Sequence, residues 1–173
     1  SPADSKLLLM KYVSANESTL HVMDVATRAL TPIPVPGNVK ASHDAVAFSA
    51  DGKSVYLASD ATGEFTTLAK VNLASMEYAW ITTDIPWNVT SIEMTKDRSK
   101  IAFTVNEDGA SRLYLMDEGG KPRKIDLPLG IVSDLSFSPD GKRLALSLNR
   151  PDAPGDVYTL DGETLTRWTF SET

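Results

Sequence analysis

A repeat constrains this chain more than any other feature. Phe137-Ser-Pro-Asp-Gly-Lys142 recurs as Phe48-Ser-Ala-Asp-Gly-Lys53, and a degraded third copy, Met94-Thr-Lys-Asp-Arg-Ser99, keeps the aspartate. Asp51, Asp97 and Asp140 therefore mark one position, 46 and 43 residues apart. A second anchor lies downstream: Leu20-His-Val-Met-Asp24, Leu68-Ala-Lys-Val-Asn72, Leu113-Tyr-Leu-Met-Asp117 and Val157-Tyr-Thr-Leu-Asp161 fall into register at spacings of 48, 45 and 44 residues. Two agreeing anchors at this period point to the blades of a β-propeller.

Each turn leads without a gap into an apolar run, Ser54 to Ser59, Lys100 to Val105 and Arg143 to Leu148, which reads as a second strand. The turn itself is set by Asp, which bonds backbone ahead of it, and by Gly, which takes the positive φ of a tight hairpin. Arg98 stands where the other copies have Gly; it must adopt that conformation, at a cost of about 1 kcal/mol, or use another turn. Val46 to Phe48, Thr90 to Met94 and Val132 to Phe137 supply inner strands. Arg28 to Pro32, Glu77 to Thr82 and Glu163 to Phe170 supply outer ones.

The first repeat is incomplete. Ser1-Pro-Ala-Asp-Ser-Lys6 reads as a diverged turn running into Leu7-Leu-Leu-Met10, with no inner strand before it. The expected fold is all-β: about four four-stranded blades, approximately 1–36, 37–83, 84–128 and 129–173, the first lacking its inner strand, in one partial propeller domain. Such a chain leaves open strand edges, where self-association is expected, and it reads as a segment of a longer protein. The proline-containing stretches Pro32 to Asp44 and Asn149 to Gly155 are expected as surface loops.

Composition restricts function. Seventeen Lys and Arg against 23 Asp and Glu give a net charge of −6, which disfavours nucleic acid and anionic surfaces as partners. No apolar run approaches the roughly 20 residues of a spanning helix, so membrane insertion is not expected. With no cysteine there is neither a disulfide nor a thiolate site, and a bacterial cytoplasm and a periplasm suit the chain equally.

No G-x-S-x-G occurs and the only histidines are His21 and His43, so no catalytic, cofactor-binding or metal-ligating residue is assigned. His21 alternates with Leu20 and Val22 and should face away from the apolar side of its strand. His43 and Asp44, in a loop before an inner strand, and Trp87, in the link before the next, are the candidate contacts at the channel mouth or with a partner. Trp80 and Trp168 are expected to pack between blades. The acidic pairs Glu107-Asp108 and Asp117-Glu118 read as solvated loop charges.

Blades with S-P-D-G-K turns resemble those shared by the prolyl oligopeptidase family and the Tol-system translocation propeller. Lys11-Tyr-Val-Ser-Ala-Asn-Glu-Ser18, Asp84-Ile-Pro-Trp87 and Arg167-Trp-Thr-Phe-Ser-Glu-Thr173 favour the peptidase, resembling segments of bacterial dipeptidyl or acylaminoacyl peptidase-like members. That resemblance implies a noncatalytic propeller segment that caps or gates peptide access to an α/β-hydrolase domain of the same parent chain, with peptides as the parent's substrates. The alternative it leaves is a Tol-like scaffold for protein–protein interaction. No adjacent Glu pair is present to hold a substrate's amino terminus, as some family members do.

Overall fold

A computed structural model describes residues 1–171, without the side chains of Ala45 and Val46. The last two residues of the Arg167–Thr173 string lie outside the described residues. Among the described residues fifteen strands form four antiparallel sheets. Sheet 1 contains β1 (Lys6–Ser14), β2 (Glu17–Asp24) and β3 (Leu30–Ile33). Sheet 2 contains β4 (His43–Phe48), β5 (Ser54–Ser59), β6 (Thr67–Asn72) and β7 (Tyr78–Trp80). Sheet 3 contains β8 (Asn88–Met94), β9 (Lys100–Glu107), β10 (Ala110–Asp117) and β11 (Arg123–Ile125). Sheet 4 contains β12 (Ile131–Phe137), β13 (Arg143–Arg150), β14 (Ala153–Asp161) and β15 (Thr164–Arg167). Each sheet is a meander whose neighbours in space are neighbours in sequence, and sheet 1 has three strands where the others have four.

The turn between the first and second strands is built the same way each time. In sheet 2 the Ser49 hydroxyl donates to Asp51 Oδ1 at 2.7 Å and accepts from the Ser54 N–H at 3.0 Å. Asp51 Oδ1 accepts from the Lys53 N–H, and Gly52 takes φ +66°. Thr95, Asp97 and Ser99 repeat this network in sheet 3, and Ser138, Asp140 and Lys142 repeat it in sheet 4. These bonds favour the ionised carboxylates. The hydroxyl of Thr95, helped by Ser99, holds Asp97 down to about 2, while Asp51 and Asp140 are lowered by the same kinds of donor. Before β1, Ser1 Oγ accepts from the Lys6 N–H and Asp4 takes φ +51°, so the diverged copy keeps the turn with aspartate moved to the left-handed position.

Arg98 adopts φ +60°, the glycine conformation, and keeps the turn bond from its N–H to the Thr95 carbonyl. Arg98→Gly is therefore expected to stabilise the chain by about 0.5–1 kcal/mol, the strain relieved exceeding the backbone entropy that glycine adds to the unfolded chain. Urea unfolding reads this directly. A midpoint that does not rise would mean that the arginine side chain contributes as much as its backbone costs.

The core forms in two compact units, Ser1–Val89 and the described residues from Thr90 onward. In the first, Leu20, Val22 and Ile33 of sheet 1 bury against Val55, Leu57, Ala69 and Val71 of sheet 2, with Tyr78 and Trp80 packed on the cluster. In the second, Ala102, Leu113 and Ile125 of sheet 3 bury against Leu144, Leu146, Leu148 and Leu160 of sheet 4. Full burial of each such side chain contributes about 1.5–3 kcal/mol.

Two expectations need correction. The stretch from Asn149 to Gly155 is not a loop: β13 and β14 run through it and pair Arg150 with Ala153, leaving only Pro151 and Asp152 as the turn. Pro154, which has no N–H to donate, sits beside a register shift between Leu148 and Arg150 that removes it from the regular ladder. Trp168 is 59% exposed rather than packed between blades, its indole N–H donated to Thr159 Oγ1 at 2.8 Å. The Pro32 to Asp44 stretch contains the end of β3, a short 3-10 turn at Pro36–Asn38 and the start of β4.

Candidate functional site

The site is the end of sheet 2 where β4 begins, β5 turns into β6, and the chain passes Trp87 toward β8. His43 pairs with Ser59, and Ser59 with Thr67, so these residues lie level across the sheet. His43 and Asp44 flank the Ser59–Asp60 side of the hairpin loop. Trp87 flanks the other side, its ring 6.2 Å from that of Phe65 and tilted by 49°. The structure thus brings the three predicted residues to one end of one sheet, around one loop.

Their surroundings differ. His43 is the first residue of β4 rather than part of the preceding loop, and it is only 2% exposed. Its backbone N–H donates to Ser18 Oγ at 2.9 Å, and the same hydroxyl shares a second hydrogen bond with His43 Nδ1, 3.1 Å away. The other ring nitrogen, Nε2, is buried with no partner among the described residues. A surface contact by His43 is corrected accordingly: the ring is a buried joint between β2 and β4. Asp44 is exposed and Trp87 half-buried.

Burial pushes the His43 imidazole below its usual 6.5, against smaller raising effects of the Ser18 bond, Asp60 and Asp44. The unfolded chain therefore binds a proton below about pH 6.5 that the folded chain resists. Stability should fall as pH drops from 6.5 toward the depressed value. In His43→Asn, whose amide oxygen takes the place of Nδ1, that part of the slope should vanish, as read by thermal midpoints between pH 7 and pH 5. Equal slopes in the two proteins would remove His43 as its source.

The joint at Ser18 is one instance of a device absent from the sequence reading. Ser18 and Ser111, six residues before Asp24 and Asp117, and Thr66, six before Asn72, each receive the chain as it returns from an outer strand. Ser18 N–H donates to the Ala41 carbonyl and Ser111 N–H to Gly130, while Ser111 Oγ accepts from the Val132 N–H. Thr66 exchanges bonds with Val89: its hydroxyl donates to the Val89 carbonyl and its own carbonyl accepts from the Val89 N–H. At the fourth copy Asp156 takes over: its carboxylate accepts from Thr169 Oγ1 and the Ser171 N–H and pairs with Arg167. These donors, the Ser171 N–H first, hold the buried carboxyl down to about 2. The recurring hydroxyl at six residues before the strand-end Asp was the available sequence signal.

Other candidates sit as follows. His21 lies on the half-buried row of β2 opposite the buried Ser18, Leu20 and Val22, as its alternation predicts. Glu107 is bonded to Lys124 at 3.0 Å and lies 3.4 Å from Arg112; the Lys124 bond chiefly lowers its carboxyl. Among the described residues no three His, Asp or Glu side chains gather to hold a metal ion. A cleft of about 770 Å³ lies away from the candidate residues, at the outer side of sheet 2, between Pro34–Pro36 and Tyr78–Trp80.

No protein-family model matches the chain. Solved structures do. TolB from Acinetobacter baumannii is 20% identical with a TM-score of 0.72 over 99% of this chain and 42% of that one. A puromycin-hydrolysing peptidase of Mycobacterium tuberculosis is 18% identical with a TM-score of 0.78, over 96% and 27%. Prolyl oligopeptidase B from Galerina marginata is 12% identical with a TM-score of 0.75, over 95% and 25%. The chain thus spans less than half the length of each of these proteins. What it shares with them is their β-propeller, and a β-propeller is the fold of this chain.

Proposed function

We propose that the chain is a noncatalytic propeller segment of a prolyl-oligopeptidase-family serine peptidase, limiting peptide access to an α/β-hydrolase domain. The observation that carries this reading is the fit of nearly the whole chain onto propellers that, in prolyl peptidases, sit with a hydrolase domain. In this reading the end of sheet 2 that carries Asp44 and Trp87 meets the passing peptide. Asp44 offers a carboxylate and Trp87 a broad apolar ring held by Phe65. His43 acts only by fixing where β4 begins.

The first test is the coding sequence beyond Thr173. A G-x-S-x-G motif followed by Asp and His supports the peptidase, and a stop or further blades alone overturns it. If the hydrolase is present, Trp87→Ala in the whole protein should change the ratio of kcat/KM for long over short peptides several-fold. An unchanged ratio would exclude gating at this position.

The 99% coverage by TolB supports a second reading, a propeller scaffold for protein–protein contacts. It predicts a stable protein partner retained on the immobilised chain and lost on replacing Asp44 and Trp87 together.

A further inference from the structure

In the second compact unit, Leu113 and Ile125 of sheet 3 bury against Leu144 and Leu146 of sheet 4. Toward the turn ends of the same strands the facing surfaces become charged, and a cavity of about 370 Å³ remains between them. Strand pairing places its walls. Arg123 pairs with Leu115 and Lys100 with Asp117, so these four share the face of sheet 3 that carries Leu113. On sheet 4, Phe137 and Leu160 both pair with Leu144 and share its face. Lys121, from the link between β10 and β11, and Lys142, from the turn before β13, complete the lining.

Comparison with the first compact unit shows why the space is open. Leu73 follows the strand-end Asn72 and packs on the core of sheets 1 and 2. The residue after the corresponding Asp161 is Gly162, which lines the cavity and opens the two-residue turn between β14 and β15 at φ +60°. A Cβ built there would have nothing within 4 Å. The tight turn thus removes the apolar plug.

The charge differs in the same comparison. Lys100 and Lys142 have counterparts in Lys6 and Lys53, placed alike after their turns. Arg123 stands where sheet 1 has Thr31, since Leu115 pairs with Arg123 as Val22 pairs with Thr31. Four cations therefore line the cavity with one carboxylate, Asp117, in a chain whose net charge is −6. Arg123 meets Glu163 at 3.5 Å, an exposed pair of little strength. Lys100, Lys121 and Lys142 form no ion pair among the described residues.

We propose that this cavity binds a small organic anion, a carboxylate or phosphate carried on a single ring or a short acyl chain. The anionic group sits among Lys100, Lys121, Arg123 and Lys142, where cations beside apolar walls concentrate positive potential. The apolar body lies against Leu115, Phe137 and Leu160, in the space that Leu73 fills in the first unit. Volume sets the size: the cavity is near the lower end of the roughly 300–1,000 Å³ of small-molecule sites. The site is independent of which functional reading holds.

Titration of the isotope-labelled chain with phenyl phosphate and with phenylacetate, followed by amide chemical shifts, tests this. At least one of them should bind saturably and move the amides of Gly141 and Gly162. Inorganic phosphate, acetate and benzyl alcohol, each carrying half of the chemistry, should bind at least about tenfold more weakly. Replacing Lys121 and Arg123 together by Ala should weaken binding about tenfold or more. Lys53→Ala, at the counterpart of Lys142, should leave it unchanged. All three substituted side chains are exposed, and unshifted amides elsewhere confirm the fold. Three results would each overturn the assignment: neither probe moving those amides, the bare anion binding as tightly as its phenyl derivative, or Lys53→Ala weakening binding as much as the double variant.

Discussion

Leu57→Ala is expected to destabilise the chain by about 2–5 kcal/mol, whereas Leu9→Ala, at the same position of the repeat, should cost less than about 1 kcal/mol. Leu57 is fully buried among Leu20, Val22, Ile33 and Val71, so truncation leaves a cavity that two packed sheets cannot easily close. Leu9 occupies the equivalent site on sheet 1 with 39% of its surface in water, and its loss creates no enclosed space. Urea unfolding at low protein concentration separates the two. If Leu9→Ala instead matches Leu57→Ala, exposure does not set the cost at this position of the repeat.

The second large effect falls on a glycine. A Cβ on Gly130 would lie 2.4 Å from the Asn149 carbonyl oxygen and 2.9 Å from Leu148 Cδ1, so the backbone itself would have to move. Gly130→Ala is therefore expected to cost about 3 kcal/mol, the upper end of ordinary overpacking. The displaced backbone includes the Gly130 carbonyl that accepts from Ser111, so the joint leading into β12 should loosen with it. The check is the unfolding free energy together with faster hydrogen exchange at the Ser111 and Val132 amides. A loss below about 1 kcal/mol would show that β13 can give way at Asn149.

The turns demonstrate how far local chemistry reaches. Ser or Thr, then Asp two residues later, then a left-handed residue, closes the same network at Ser49, Thr95 and Ser138 because every bond in it spans at most five residues. That locality made the second strands readable almost to the residue, and it made Arg98 readable as a glycine substitute. Long-range choices left weaker marks. The hydroxyls of Ser18 and Ser111 bond residues 25 and 21 positions away, and their type matters only once the outer strand has brought the chain back. His43 looked like a loop residue because nothing near it in sequence reveals that Ser18 extends β4 by capping its first N–H. Pro151 and Pro154 looked like loop residues because proline breaks a regular ladder, and only the register shift shows how β14 absorbs one of them.

By itself the sequence determined the repeat, the meander within each sheet and the turn networks, all of which rest on hydrogen bonds and alternation between near neighbours. Only the tertiary structure decided which copies of an equivalent residue are buried. Leu9 and Leu57, or Trp168 and Ile33, hold the same place in the repeat, and what separates them is whether another sheet lies on that face. Burial is a property of that second sheet, and no residue's own sequence neighbourhood encodes it.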